Sequence, residues 1–216
     1  MVDLPPVPGR IVGLPRDERG YPVPAENAWV RGKPQLALQD FRRSGALWAA
    51  ARCAICGLAL GNDGPYRLFS DDEVAPTLKV GACTRLDGPG HRECMLFSGA
   101  ACPFFVSPAS RRSQDHYEVS KGTKRGTRAS LIGFERVLLA VEQEPPHRVS
   151  FNYQGVVENL SFELGKDLTP QLSTGEPPTG VASIRMYWKT EPEIKRAWNR
   201  TLEQARRQGI ATHPGR

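Results

Sequence analysis

Apolar and polar residues alternate most cleanly in the last third of the chain. Phe151 and Tyr153 flank Asn152, and Phe162 and Leu164 flank Glu163. That period of two is what a half-buried strand requires. Strands are predicted over 131–141, 149–153, 156–164 and 181–188. The period then lengthens. Ile194, Ala197, Trp198, Thr201, Leu202 and Ala205 make one stripe of a helix, with Thr190 and Glu193 as a capping box, Pro192 in the first turn and Gly209 as the stop. Lys195, Arg196, Arg200, Arg206 and Arg207 spread over the rest of its surface.

Upstream, the pattern is shorter and more broken. Residues 1–9 read as a Pro-rich extended arm, residues 10–14 as a short strand, and Tyr21-Pro-Val-Pro24 as an extended step, because each proline fixes its own φ and biases its predecessor. Residues 27–30 and 35–38, separated by Arg31-Gly-Lys33, predict a hairpin. Asp40 caps a predicted helix to about Arg52, with Phe41, Leu47, Trp48 and Ala51 on its buried side. Residues 66–69 and 78–80 read as two strands joined by the acidic loop Asp71-Asp-Glu73. A further helix is predicted from His91 to about Ala101, ahead of Pro103.

This layout predicts an α+β protein in three parts: a module over 1–108, a basic linker or loop over 109–130, and an antiparallel sheet closed by a C-terminal helix over 131–216. With 216 residues the chain is long enough to bury a core, but it has 39% hydrophobic residues, 21 Gly and 19 Pro, which favours short strands and many turns. No apolar run approaches the ~18 residues of a membrane span, and the N-terminus lacks the charged and apolar regions of a signal peptide. A reducing cytoplasm is the expected location. Five cysteines are an odd number, and their spacing suits a metal better than a disulfide framework.

Cys53-Ala-Ile-Cys56-Gly and, 34 residues later, His91-Arg-Glu-Cys94 are the chain's chemical signature. Two thiolates on a tight turn, plus an imidazole and a thiolate opening a helix, can fill the four tetrahedral positions of Zn²⁺. Cys83 is an alternative to His91 if the loop before the helix folds back. Cys102, eight residues past Cys94, is roughly 12 Å away along a helix and is excluded. A turn with two cysteines, strands, then a helix supplying the last two ligands is the layout of a treble-clef zinc finger. Four protein ligands leave no position for a reactive water, so the predicted role of the zinc is structural. No phosphate-binding loop or nucleophile motif accompanies it, and catalysis is not expected. A divergent HNH-like nuclease is the enzymatic alternative, although no histidine lies between Cys56 and His91.

Residues 10–108 resemble a group of small zinc-binding proteins of actinobacteria and their phages. The likeness lies in Leu14-Pro-Arg-Asp-Glu-Arg-Gly-Tyr-Pro-Val-Pro24, Gly32-Lys-Pro34, the CxxCG and HxxC motifs, and Cys102-Pro-Phe104. This chain departs from the group at Ala25 and Glu26, where aromatic residues are common. The resemblance implies metal binding at Cys53, Cys56, His91 and Cys94 and a phage or bacterial origin; it implies no activity.

Charge supplies the remaining expectation. The formal charge is +6, and Arg outnumbers Lys by 22 to 7, a balance that suits bidentate phosphate contacts. Arg111, Arg112, Lys121, Lys124, Arg125 and Arg128 cluster in one stretch, and Arg196 and Arg200 lie on the last helix. These are the candidate contacts to DNA or RNA. The expected function is a non-catalytic, zinc-stabilised adaptor for nucleic acid. A factor that binds a protein, for instance a phage product acting on a host protein, is the alternative.

Overall fold

The structure is a computed structural model and describes residues 3–106, 127–142, 148–172, 175–176, 178–208 and 212–213. It is α+β, with two antiparallel sheets and a long C-terminal helix. Residues 10–14 form turns rather than the predicted strand. Gly9 and Gly13 sit within them, the latter at φ +84°, and the amides of Ile11 and Leu14 close back onto Pro8 and Ile11. Ile11 and Leu14 are nevertheless core residues.

The expected hairpin is present: β1 (Asn27–Val30) pairs antiparallel with β2 (Lys33–Gln39). Asp40 then caps α1 (Phe41–Ala49) by accepting from the Arg42 amide at 3.0 Å. Leu47 is buried, whereas Ala51 is exposed and lies beyond the helix end.

After β3 (Tyr66–Ser70) the acidic run is not a loop. It opens α2 (Asp71–Val80), because Ser70 and Glu73 form a capping box and the acids complement the helix N-terminus. Gly81, left-handed at φ +70°, ends that helix, and the strand predicted at 78–80 falls instead at β4 (Ala82–Arg85). Helix α3 (Arg92–Ala101) and the turn α4 (Pro103–Val106) complete this half.

Strands β5 (Arg128–Glu142) and β6 (Val149–Glu163) are long antiparallel partners. The two segments predicted at 149–153 and 156–164 are thus one strand, irregular at Gly155. The predicted strand at 181–188 is absent: a 3₁₀ turn at Gly180–Ser183 leads into an irregular segment that joins no sheet. Helix α5 (Glu191–Gln208) follows with one half of the expected capping box: the Glu193 carboxylate accepts from the Thr190 amide at 3.0 Å and also from the Thr190 hydroxyl at 2.8 Å. Its stripe of Ile194, Ala197, Trp198, Thr201 and Ala205 is buried. A two-residue strand β7 (Thr212–His213) adds to β5 in parallel. The helix stop predicted at Gly209 and most of the basic stretch, residues 107–126, lie outside the described residues.

The main sheet runs β3-β5-β6-β4, so strands from both sides of the basic stretch pair in one sheet. The strands either side of α2 do not pair with each other; β3 joins β5 and β4 joins β6. One face carries Leu68, Ala129, Leu131 and Phe162 into a core with α3 and the cysteine turn. The other carries Phe69, Phe134, Leu139 and Phe151 toward Trp198 of α5. Gly45 of α1 lets α5 approach, since a Cβ there would stand 2.6 Å from the Trp198 ring. No described helix is long and apolar enough to cross a membrane.

Candidate metal centre

The chain enters the site through a sharp reversal after α1. Ala51 sits at φ +51°, and Arg52 and Ala59 bridge across the turn. Cys53 opens a tight knuckle: its amide donates to Leu58 O at 2.9 Å, and the Gly57 amide returns to Cys53 O at 2.9 Å. Gly57 is left-handed at φ +71°, and a Cβ there would collide with the Met186 carbonyl oxygen. Only glycine fits. The Cys56 amide points at Cys53 Sγ, 3.5 Å away, a contact that favours a thiolate.

The other two ligands arrive with α3. Residues 88–90 are tied to the rest by Ala54 N–H to Pro89 O (2.9 Å) and a bridge between Tyr66 and Gly90. His91 is the N-cap of α3 with extended backbone, and Cys94 lies in the first turn.

The four donor atoms of Cys53, Cys56, His91 and Cys94 lie within 4.8 Å of one another. Each of these residues has 0% of its surface exposed. His91 Nδ1 is 3.4 Å from Cys56 Sγ and 3.7 Å from Cys94 Sγ. Tetrahedral zinc, with bonds of ~2.0 Å to nitrogen and ~2.3 Å to sulfur, requires N···S separations of about 3.5 Å. The side chains are placed to hold a metal ion.

Electrostatics favour a cation here. Hydrogen bonds with Cys53 and Cys56, then burial, push the Cys94 thiol well above its usual range. Burial and Cys53 push Cys56 up as well. Burial also opposes ionisation of Cys53, but hydrogen bonds with Cys56, Cys94 and His91 outweigh it and bring that thiol well down. Three crowded thiols therefore cannot all ionise on their own, and a divalent cation at their centre removes the repulsion.

The far side of the imidazole is also fixed. His91 Nε2 lies 2.8 Å from Ala59 O; with Nδ1 facing the sulfurs, Nε2 carries the proton and donates it to that carbonyl. This sets the tautomer of a metal-binding histidine. Arg10 covers this edge, with Nη1 at 3.0 Å from Nε2, and is anchored by Glu93 (2.8 Å) and Asp63 (2.6 Å).

The predicted ligand set is brought together as His91 with the three cysteines. Cys83 sits in β4 opposite Tyr153, in the other core, and is not part of the cluster; Cys102 is the C-cap of α3. Of the basic candidates, Arg128 is exposed at the start of β5, and Arg196 and Arg200 are exposed on α5. Arg111, Arg112, Lys121, Lys124 and Arg125 lie outside the described residues. Sequence reading missed the supporting groups: Arg10, the Ala59 carbonyl, and Arg185 with Met186, which lie against the knuckle. Arg10 and Arg185 fall in segments that read as strands, whereas the Ala59 carbonyl and the Met186 amide act through backbone atoms that carry no residue signature. No family model matches this chain, and neither a curated protein nor a solved structure matches it.

Proposed function

We propose that the protein is a non-catalytic adaptor, stabilised by a structural Zn²⁺ at Cys53, Cys56, His91 and Cys94, that binds nucleic acid through arginine-rich surfaces. The complete burial of all four donors supports the structural role. A reactive zinc keeps one position for water or substrate, and this set fills four. Three thiolates and an imidazole suit zinc in charge, softness and geometry. The layout follows the treble clef in taking ligands from a knuckle and a helix start, with a strand–helix–strand unit in place of the hairpin.

The observation that supports nucleic acid is the outer face of α5. Lys195, Arg196, Arg200, Arg206 and Arg207 are exposed, against Glu193 and Glu203 on the same surface. Among the described residues none of these five cations is in a salt bridge. They remain available to phosphates, with Arg128 and the basic stretch before it as further contacts.

The test is binding to random-sequence DNA and RNA across a salt series. Expected is measurable affinity at low salt that falls steeply as salt rises, with a log–log slope reduced by about 1 for each phosphate contact removed. Arg196→Glu with Arg200→Glu weakens binding without lowering zinc content. Absence of binding at low salt overturns the nucleic-acid reading, and salt-insensitive capture of a protein supports a protein partner instead.

A further inference from the structure

The segment after the 3₁₀ turn, Ile184 to Lys189, runs over the cysteine knuckle without joining a sheet. On the knuckle side its partners are backbone carbonyls. The Met186 amide donates to Gly57 O at 2.8 Å. The Arg185 guanidinium reaches three carbonyl oxygens: Cys56 O, and those of Arg10 and Val12, each at 3.1 Å. Two of these landing points, Cys56 and Gly57, belong to the knuckle. The other two belong to the turn that Arg10 pins against Glu93 and Asp63. The contacts of Arg185 and Met186 thus fall on the knuckle and on the turn beside it, whereas Tyr187 is held apart from the site, its hydroxyl donating to Val23 O at 3.2 Å and its ring edge-on to Trp29.

Anchors at the strap's two ends are of another kind. Arg52 donates to Ile184 O at 2.8 Å, Arg43 to Trp188 O, and Arg42 pairs with Glu191 at the start of α5. These come from α1 and the residues just after it. Beyond them, α5 is held by its own apolar stripe against α1 and the sheet.

We infer that Arg185 and Met186 are a metal-gated latch: occupancy of the Cys53–Cys56–His91–Cys94 site shapes the carbonyl cradle that the latch engages, and loss of the metal releases it while α5 stays docked. The physical reason is the knuckle's conformation. Its carbonyls face Arg185 and Met186 only while the turn through Gly57 is closed around both sulfurs, and the metal supplies the free energy of that closure. The inference rests on the metal reading above and adds the coupling to a distant stretch of chain. Coupling between two sites is reciprocal, so weakening the latch must weaken the metal.

Two measurements on the full chain test it. In the first, Zn²⁺ affinity is measured by competition with a chromophoric chelator for the wild type and for Arg185→Leu. Expected is one zinc per chain at saturation in both, bound about tenfold more weakly by the variant; equal affinities overturn the latch. In the second, hydrogen exchange is followed before and after chelation and again after Zn²⁺ is restored. The Met186 amide should exchange at least ~10-fold faster without metal and recover with it, while amides in the middle of α5 change far less. Unchanged exchange at Met186, or equal acceleration of the latch and α5, overturns the inference. A purified chain that binds no zinc removes the metal centre itself, whereas zinc binding indifferent to Arg185→Leu removes the latch alone.

Discussion

Glu26 and Arg67 grip Gly88 from both ends: Glu26 Oε2 accepts from its amide at 3.0 Å, and Arg67 Nη1 donates to its carbonyl at 3.0 Å. The two side chains also pair with each other at 3.4 Å, and Arg67 reaches Asp87 at 3.0 Å. Gly88 begins the three-residue run that delivers His91. Burial pushes the Glu26 carboxyl up, against the pull of Arg67, so the pair shapes the loop at an electrostatic cost. Glu26→Ala leaves Arg67 with one acid and Gly88 with an unpaired amide. Expected is a loss of about 3 kcal/mol in urea unfolding, with weaker zinc binding. Glu26→Gln, which keeps an acceptor for Gly88 and Ser44, loses less. Equal stability of Glu26→Ala and the wild type would show that the grip does not hold the loop.

Gly90 tests the geometry of the centre more directly. A Cβ at this position would stand 2.6 Å from Met95 Cε and 3.1 Å from Cys53 Sγ. Met95 can swing aside, but the sulfur of a ligand cannot shift without opening the tetrahedron. Gly90→Ala should weaken zinc binding about tenfold or more, and competition with a chelator reads it. Gly61→Ala is the control, because nothing lies within 4 Å of a Cβ there, although its φ of +57° carries the usual left-handed strain.

The contrast between these sites explains what was legible beforehand. Cys53, Cys56, His91 and Cys94 could be grouped because each ligand pair is local, so spacing alone implies proximity. Thr190 with Glu193 was read as a capping box for the same reason. Ser70 with Glu73 has an equivalent spacing, but it is hidden by an acidic run that reads as a loop between two strands. The pairing of β3 with β5 and β4 with β6 spans the basic stretch, and nothing local in Tyr66–Ser70 or Ala82–Arg85 specifies a partner so far along the chain. The latch was read as a strand because Val181 to Trp188 has strand-like composition. Its real partners are carbonyl oxygens, which every residue possesses.

Ala51 carries strain that the sequence did not advertise. It sits at φ +51°, where its Cβ crowds the backbone, yet its amide and carbonyl are both engaged, with Trp48 O at 2.8 Å and the Leu60 amide at 3.0 Å. The left-handed geometry costs an alanine ~1 kcal/mol or more, partly offset in glycine by greater unfolded-state freedom. Ala51→Gly should therefore stabilise the chain by about 0.5 kcal/mol and raise Tm by roughly 1–2 °C. A lowered Tm would mean that the Ala51 methyl contributes more than its strain costs.

Tyr153 sets a limit at high pH. It is fully buried, its hydroxyl donates to Asp87 O at 2.8 Å, and burial pushes its ionisation well above the ordinary value of 10.0. The folded chain keeps this proton after the unfolded chain has lost it. Stability from this group is thus complete below pH ~10 and falls as pH rises, by about 1.4 kcal/mol per pH unit, until the folded value is reached. Burial also raises Tyr187, to about 12, and Tyr66, so the difference between wild type and Tyr153→Phe is the informative quantity. At neutral pH the variant lacks one buried hydrogen bond and should be less stable by about 1 kcal/mol. Above pH ~10 it escapes the penalty, and the two stability curves should converge and cross near pH ~11. Denaturation curves at pH 8, 10 and 11 measure this; a difference that stays constant across the series would place the Tyr153 hydroxyl in contact with water.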